Sequence, residues 1–267
     1  MRSSVKHSTA PRALVWAAAL AIGLAAACPA SAACRLALAL GLDISGSVDD
    51  REYDLQLTGI ARALAEPDVR NAFFADPNVP VAFAVYEWSS SSYQNVIVNW
   101  RLVDAPTVLD QISAELTAWS RAAVPEATGL GAAMRFGANL IKNGPECLDQ
   151  TLDISADGKN NDWPLPDRLR ASGEISWLRI NALVVAMNFP STQDRTNSGA
   201  AELASYFQTY IIQGPGAFTE VALGYEDYAD AMRRKLIREL ASLPLGQLPK
   251  PLPLRRADLT VPPPGRP

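Results

Sequence analysis

The sequence predicts an α/β domain built on a doubly wound, mostly parallel sheet of about six strands with one antiparallel edge strand. Three observations point there. Residues 36–47, L-A-L-A-L-G-L-D-I-S-G-S, open with an unbroken apolar run, the pattern of a strand buried on both faces beneath helices. Strand-like and helix-like stretches then alternate along the chain. Two of the strand-like stretches are separated only by the serine-rich turn at 89–92, which makes them an antiparallel hairpin.

Taken in order, 49–64 follows the opening strand with Tyr53, Leu57, Ile60 and Leu64 at helical spacing, and ends before Pro67. Residues 79–88 and 95–103 supply the hairpin. Pro106 opens a second helix reaching about Trp119, and 128–143 forms a third. A mostly apolar strand at 148–155 comes next, then a loop and short helix, a long strand at 177–187, a helix at 198–212, a strand near 217–223 and a closing helix at 225–243. Trp88, Trp100, Trp119 and Trp177 are expected to pack in the core or against helices.

The ends read differently. Arg2, Lys6 and Arg12, an apolar stretch at 13–27 and a small-residue exit at 29–33 make residues 1–33 a secretory signal peptide, cleaved after Ala32 or Ala33. Its apolar stretch of about fifteen residues falls short of the roughly twenty that span a bilayer. Neither Cys28 nor Cys34 has a leucine three residues before it, which argues against a lipid anchor. Residues 34–244 then form the domain, and 245–267, dense in proline, an extended disordered tail. An exported protein of this kind is periplasmic or secreted, with no transmembrane anchor after cleavage.

Removing the signal narrows the chemistry. The only histidine, His7, lies within it, so Ser-His-Asp and Cys-His catalysis and His-bearing zinc sites are excluded. The three basic residues lost take the net charge from −4 to about −7, a balance that repels phosphate backbones and speaks against a nucleic-acid partner. Neither G-x-x-x-x-G-K-[ST] nor G-x-S-x-G occurs.

What remains is oxygen chemistry at one rim. Asp43, Ser45 and Ser47 stand on alternate residues where the opening strand ends, with Gly46 allowing a sharp turn. Hard oxygens gathered in a tight loop suit Mg²⁺, Mn²⁺ or Ca²⁺. The plain alternative is that Ser47 caps the next helix, with Asp50 completing a capping box. Tracing chain direction through the elements puts the loop holding Thr128 and the end of the 148–155 strand, with Asp157, at the same end as Asp43. Ligand sites of open α/β sheets lie there. Glu87, at the top of the second strand, either faces that point or solvates an edge, and Asn160, Asn161 and Asp162 shape the rim or form a turn.

The same tracing sends the cysteines to the opposite end. Cys34 precedes Asp43 by nine residues and Cys147 precedes Asp157 by ten, which predicts a Cys34–Cys147 disulfide between two parallel strands in an oxidising compartment.

D-I-S-G-S at 43–47, Thr128-Gly129 opening a helix and Asp157-Gly158 after the next strand resemble the von Willebrand factor type A domain. Within it, L-D-I-S-G-S-V-D-x-R-E-Y, Y-E-W at 86–88, D-I-S-A-D-G-K-N-N-D and G-P-G-A-F resemble a bacterial exported family, domain of unknown function 1194. The resemblance implies a metal-ion-dependent adhesion site. Ser45 and Ser47 would bind the ion directly, Thr128 directly or through water, and Asp43 and Asp157 chiefly through water. An acidic side chain of a protein or peptide partner would fill the open coordination position. Mg²⁺ is the first expectation, with Mn²⁺ or Ca²⁺ behind it, and the implied protein is a non-enzymatic binding module. Two alternatives stay open: a Mg²⁺-dependent phosphoryl-transfer enzyme or hydrolase using Asp43, and a scaffold whose ion is purely structural.

Overall fold

A computed structural model describes residues 34–186 and 193–241. The predicted signal peptide at 1–33, the tail at 245–267 and Met187 at the end of the expected long strand lie outside the described residues. The elements run β1 (Cys34–Asp43), α1 (Asp50–Ala65), α2 (Pro67–Phe73), β2 (Val81–Trp88), β3 (Gln94–Val103), α3 (Pro106–Ala118), α4 (Leu130–Lys142), β4 (Cys147–Ala156), α5 (Pro166–Ala171), β5 (Arg179–Val185), α6 (Gln193–Tyr210), β6 (Thr219–Ala222) and, after a 3₁₀ turn, α7 (Tyr228–Ala241). The sheet order is β3-β2-β1-β4-β5-β6. Among the described strands only the β2–β3 edge pair is antiparallel, as the short serine turn required.

β1 is central and buried along its whole length. Its alternation sorts residues by size rather than polarity. Leu36, Leu38, Leu40 and Leu42 face one layer with Leu57 and Ile60 of α1, Leu109 and Ile112 of α3, and Met232 and Leu236 of α7. Ala37 and Ala39 face the other, with Ala133 and Met134 of α4 and Phe207 of α6. Each fully buried leucine contributes about 1.5–3 kcal/mol. The small residues let α4 approach closely: a Cβ on Gly41 would lie 2.4 Å from the Tyr86 ring, whose hydroxyl donates to the Ala133 carbonyl at 2.8 Å.

Three local expectations are corrected. The cap of α1 is Asp49, not Ser47. Asp49 accepts from Glu52 N at 2.8 Å, and the Glu52 carboxylate accepts from Asp49 N at 2.9 Å, a capping box that leaves Ser47 to other partners. Pro67 opens α2 as well as ending α1, because a helix's first residues need no backbone N–H donor. Trp177 is 44 % exposed in the turn before β5, its indole N–H donating to the Glu174 carbonyl at 3.2 Å. Trp88 is fully buried, and Trp100 and Trp119 pack at the margins of the two core layers.

Cys34 and Cys147 face each other in register at the start of β1 and β4 and are joined by a disulfide, with Cα atoms 4.6 Å apart. The bridge closes a loop of 113 residues, worth about 4–5 kcal/mol in the chain-entropy model. Reduction is expected to lower the unfolding free energy by an amount of that order, read by urea denaturation. Two thiols titratable in the unreduced, denatured protein would contradict the pairing.

Candidate functional site

The carboxyl ends of β1 and β4 and the loop before α4 meet at one rim. Asp43 is the last residue of β1 and fully buried. Its Oδ1 accepts from Ser45 N at 2.8 Å, an Asx-type turn that folds the chain back, and its carbonyl accepts from the Gln56 amide at 2.9 Å. Its Oδ2 is buried with no hydrogen-bond partner.

The hydroxyls form a chain beside that oxygen. Thr128 Oγ1 donates to Ser45 Oγ at 3.2 Å, Ser45 Oγ lies 3.5 Å from Ser47 Oγ, and Ser47 Oγ donates to Asp157 Oδ1 at 2.6 Å. The other Asp157 oxygen accepts from Tyr225 Oη at 3.2 Å. Ser45, Thr128 and Asp157 are buried while Ser47 is exposed, so the cluster opens to solvent on one side. All five residues singled out from the sequence are therefore brought together.

Burial raises the Asp43 carboxyl to about 8, and the nearby Asp157 charge adds to the rise, against the Ser45 hydrogen bonds. Burial also raises Asp157. Two carboxylates crowded in a dry site favour either a proton or a cation between them. Among the described residues no group of three His, Cys, Asp or Glu side chains could hold a metal. The donor set here is instead three hydroxyls and two carboxylates, all hard oxygens, with the orphaned Asp43 Oδ2 among them. That set fits Mg²⁺, Mn²⁺ or Ca²⁺.

The loop after β4 fastens this arrangement rather than facing it. Asn161 Oδ1 accepts from Thr128 N at 2.7 Å, and Asn161 N donates to the Thr128 carbonyl at 3.0 Å. Asn160 Oδ1 accepts from Gly131 N at 3.3 Å, and Asp162 Oδ2 accepts from Ser91 N at 2.7 Å. Gly129 donates its N–H to the Ser89 carbonyl at 2.7 Å, and a Cβ there would meet the Ser90 and Ser91 backbone at 2.8 Å. Asn161→Ala is expected to cost about 1–2 kcal/mol by orphaning the Thr128 N–H and to weaken cation binding about tenfold, both measurable on one protein by urea titration and calorimetry.

Glu87 is a correction. It neither faces the hydroxyl cluster nor solvates an edge: it is fully buried on the α1 side of the sheet. It accepts from Tyr53 Oη at 2.7 Å, Tyr93 Oη at 2.8 Å and Asn95 Nδ2 at 3.3 Å. Burial and this carboxylate push the Tyr93 phenol up to about 12.

Sequence reasoning missed Tyr225 and Arg121, which carry no motif. Arg121 donates to Asp50 at 2.9 Å and to the Val48 and Ile44 carbonyls at 2.6 and 3.2 Å, tying the α3–α4 connection to the β1–α1 loop. Beside Ser45 it lines a cleft of about 670 Å³ with Gly46, Tyr53, Trp119 and Glu126.

The fold is the one that von Willebrand factor type A domains share among solved structures. Proximal thread matrix protein 1 from the mussel byssus is similar at 14 % identity and a TM-score of 0.53, over 78 % of this chain and 46 % of that one. The pilus adhesin SpaC from Lactobacillus rhamnosus GG is similar at 12 % identity and TM-score 0.52, over 79 % and 31 %. A von Willebrand factor type A protein from Catenulispora acidiphila is similar at 12 % and 0.52, over 78 % and 43 %. The chain thus spans less than half the length of each. Residues 33–244 match the model of the family described as protein of unknown function (DUF1194), and the chain belongs to that family. No curated protein matches the sequence.

Proposed function

We propose that this protein is an exported, adhesion-type module that binds a protein or peptide carboxylate through a divalent cation. The observation that carries this reading is the hydroxyl chain from Thr128 through Ser45 and Ser47 to Asp157, closed beside the unpartnered Asp43 oxygen. Ser45 and Ser47 would hold the cation directly, Thr128 directly or through water, and Asp43 and Asp157 would orient its waters. Bound there, a cation with few charged direct ligands supplies an electrophilic position for an incoming carboxylate. One solved form of the mussel byssus protein has a zinc-occupied MIDAS motif (13 % identity, TM-score 0.50), and SpaC is a pilus adhesin. Both support the reading.

Mg²⁺ is the expected resident ion, with Mn²⁺ or Ca²⁺ able to replace it. Residues 1–33 would be the signal peptide, 34–244 the binding domain and 245–267 a proline-rich tail, a signal that would take the protein to the periplasm or outside the cell. The disulfide fits an oxidising compartment. Among the described residues no helix is long and apolar enough to cross a membrane.

The module is read as non-enzymatic because Asp43 is buried and tied to Ser45 N, poorly placed as a nucleophile. Affinity capture from the exported fraction with Mg²⁺ is expected to retain a partner that chelator releases and Ser45→Ala fails to hold. Retention insensitive to both would refute the adhesion reading. A phosphatase screen with Mg²⁺ is expected to show no turnover; turnover abolished by Asp43→Asn would make the protein an enzyme.

A further inference from the structure

The cleft of about 670 Å³ beside the hydroxyl cluster shares Ser45 and Gly46 with it, and its volume falls within the range of ligand pockets, roughly 300–1,000 Å³. Its far wall comes from the start of α1, through Tyr53 and Asp54, and from the α3–α4 connection, through Trp119, Arg121 and Glu126. Glu126 stands against the loop that carries the two serines: its backbone carbonyl accepts from Gly46 N at 2.9 Å, and a Cβ on Gly46 would lie 2.8 Å from the Glu126 Cβ.

The charges in this cleft do not balance. Arg121 is the one basic residue of its lining, and its guanidinium is already engaged by Asp50 and by the Val48 and Ile44 carbonyls, with the Tyr53 ring centre 5.6 Å away. Asp54 and Glu126 are both exposed. The Asp54 backbone carbonyl accepts from Thr58 Oγ1, but among the described residues neither carboxylate has a hydrogen bond or an ion pair. At the adjoining rim, Asp43 and Asp157 together match the charge of a divalent cation. A ligand carboxylate arriving there therefore brings a further negative charge beside two that are unmatched, and like charges so placed count against binding. The ligand must supply the compensating charge itself.

We propose that the cleft takes a lysine or arginine side chain of the partner, so that the segment recognised is a carboxylate set among basic residues rather than an acidic run. The proposal rests on the cation-dependent reading of the rim and narrows the partner that reading allows. In an extended peptide, side chains two residues apart project to the same side, roughly 6–7 Å from one another. A carboxylate at Ser45 thus places the side chain two positions away over the cleft. There Asp54 and Glu126 meet its charge, and the Tyr53 and Trp119 rings meet its alkyl stem.

The test uses three end-blocked pentapeptides, Lys-Ala-Asp-Ala-Lys, Ala-Ala-Asp-Ala-Ala and Glu-Ala-Asp-Ala-Glu, titrated calorimetrically into the protein with Mg²⁺ at about 0.15 M salt, where distant charges are screened. The symmetric peptides present the same side chains whichever way they run. Binding is expected to weaken in the order given, by about tenfold at each step, and to vanish with chelator. In the Asp54→Asn/Glu126→Gln double variant the preference for lysine over alanine is expected to fall to about twofold or less. Asp104→Asn removes a charge just beyond β3, at the end of the sheet away from the rim, and is expected to keep the preference. Binding of no peptide with Mg²⁺, or binding indifferent to chelator, overturns the cation-dependent reading and this proposal with it. Mg²⁺-dependent binding without the preference, or a preference that survives in the double variant, leaves that reading standing and overturns the assignment of the cleft.

Discussion

Asp43→Ala is expected to weaken Mg²⁺ and Mn²⁺ binding by about 10- to 100-fold, the usual effect of removing a side chain that orients a metal's ligands and waters. Asp43 fixes the β1–α1 loop through Ser45 N, and its Oδ2 is buried without a hydrogen-bond partner. Without it both the local charge and the placement of Ser45 and Ser47 are lost. Isothermal titration of wild type and variant with each cation measures the effect. Equal binding by the two proteins would remove Asp43 from the site, and no binding by either would remove the site itself.

The metal-free protein is expected to lose stability as pH rises. Asp43 is raised to about 8 in the folded state, against about 3.9 in an unfolded chain, so the folded state holds a proton that the unfolded state releases. Its contribution is fully present below about pH 4 and is lost as pH rises towards 8, the reverse of an ordinary salt-bridged aspartate. The raised Asp157 acts in the same direction. Between pH 5 and pH 8 the loss should be on the order of 3 kcal/mol, and urea unfolding of metal-stripped protein reads it directly. Saturating Mg²⁺ should flatten the slope, because a cation replaces the proton, and cation affinity should climb with pH by up to about tenfold per unit. Asp43→Asn keeps the acceptor for Ser45 N without the charge, and should abolish most of the slope in the metal-free protein. An unchanged slope in that variant would show that the pH dependence arises elsewhere.

Much of the rim was legible because its signals are local. Asp43, Ser45 and Ser47 stand together in sequence, and counting strand direction was enough to bring Thr128 and Asp157 to the same end of the sheet. The disulfide followed from the same counting, since parallel neighbours start as well as end together. Glu87 was misread because strand-end position says nothing about face. It sits one residue from Trp88 yet points to the α1 layer, where Tyr53 and Tyr93 supply the donors. Tyr225 and Arg121 left no trace, because each acts from a distant loop through contacts that no spacing encodes. The capping box shifted two residues from Ser47 to Asp49 because Asp49-Glu52 satisfies both halves of the motif, whereas Ser47 is held by Asp157.

The account rests on oxygens from three separate segments gathering around one cation, and anomalous scattering from crystals grown with Mn²⁺ tests this most directly. The predicted result is a single strong peak within bonding distance of the Ser45 and Ser47 hydroxyls, with Thr128, Asp43 and Asp157 next to it or one water away. Fully occupied Mn²⁺ elsewhere on the molecule, or none at saturating concentration with the five side chains still hydrogen-bonded to one another, would contradict it.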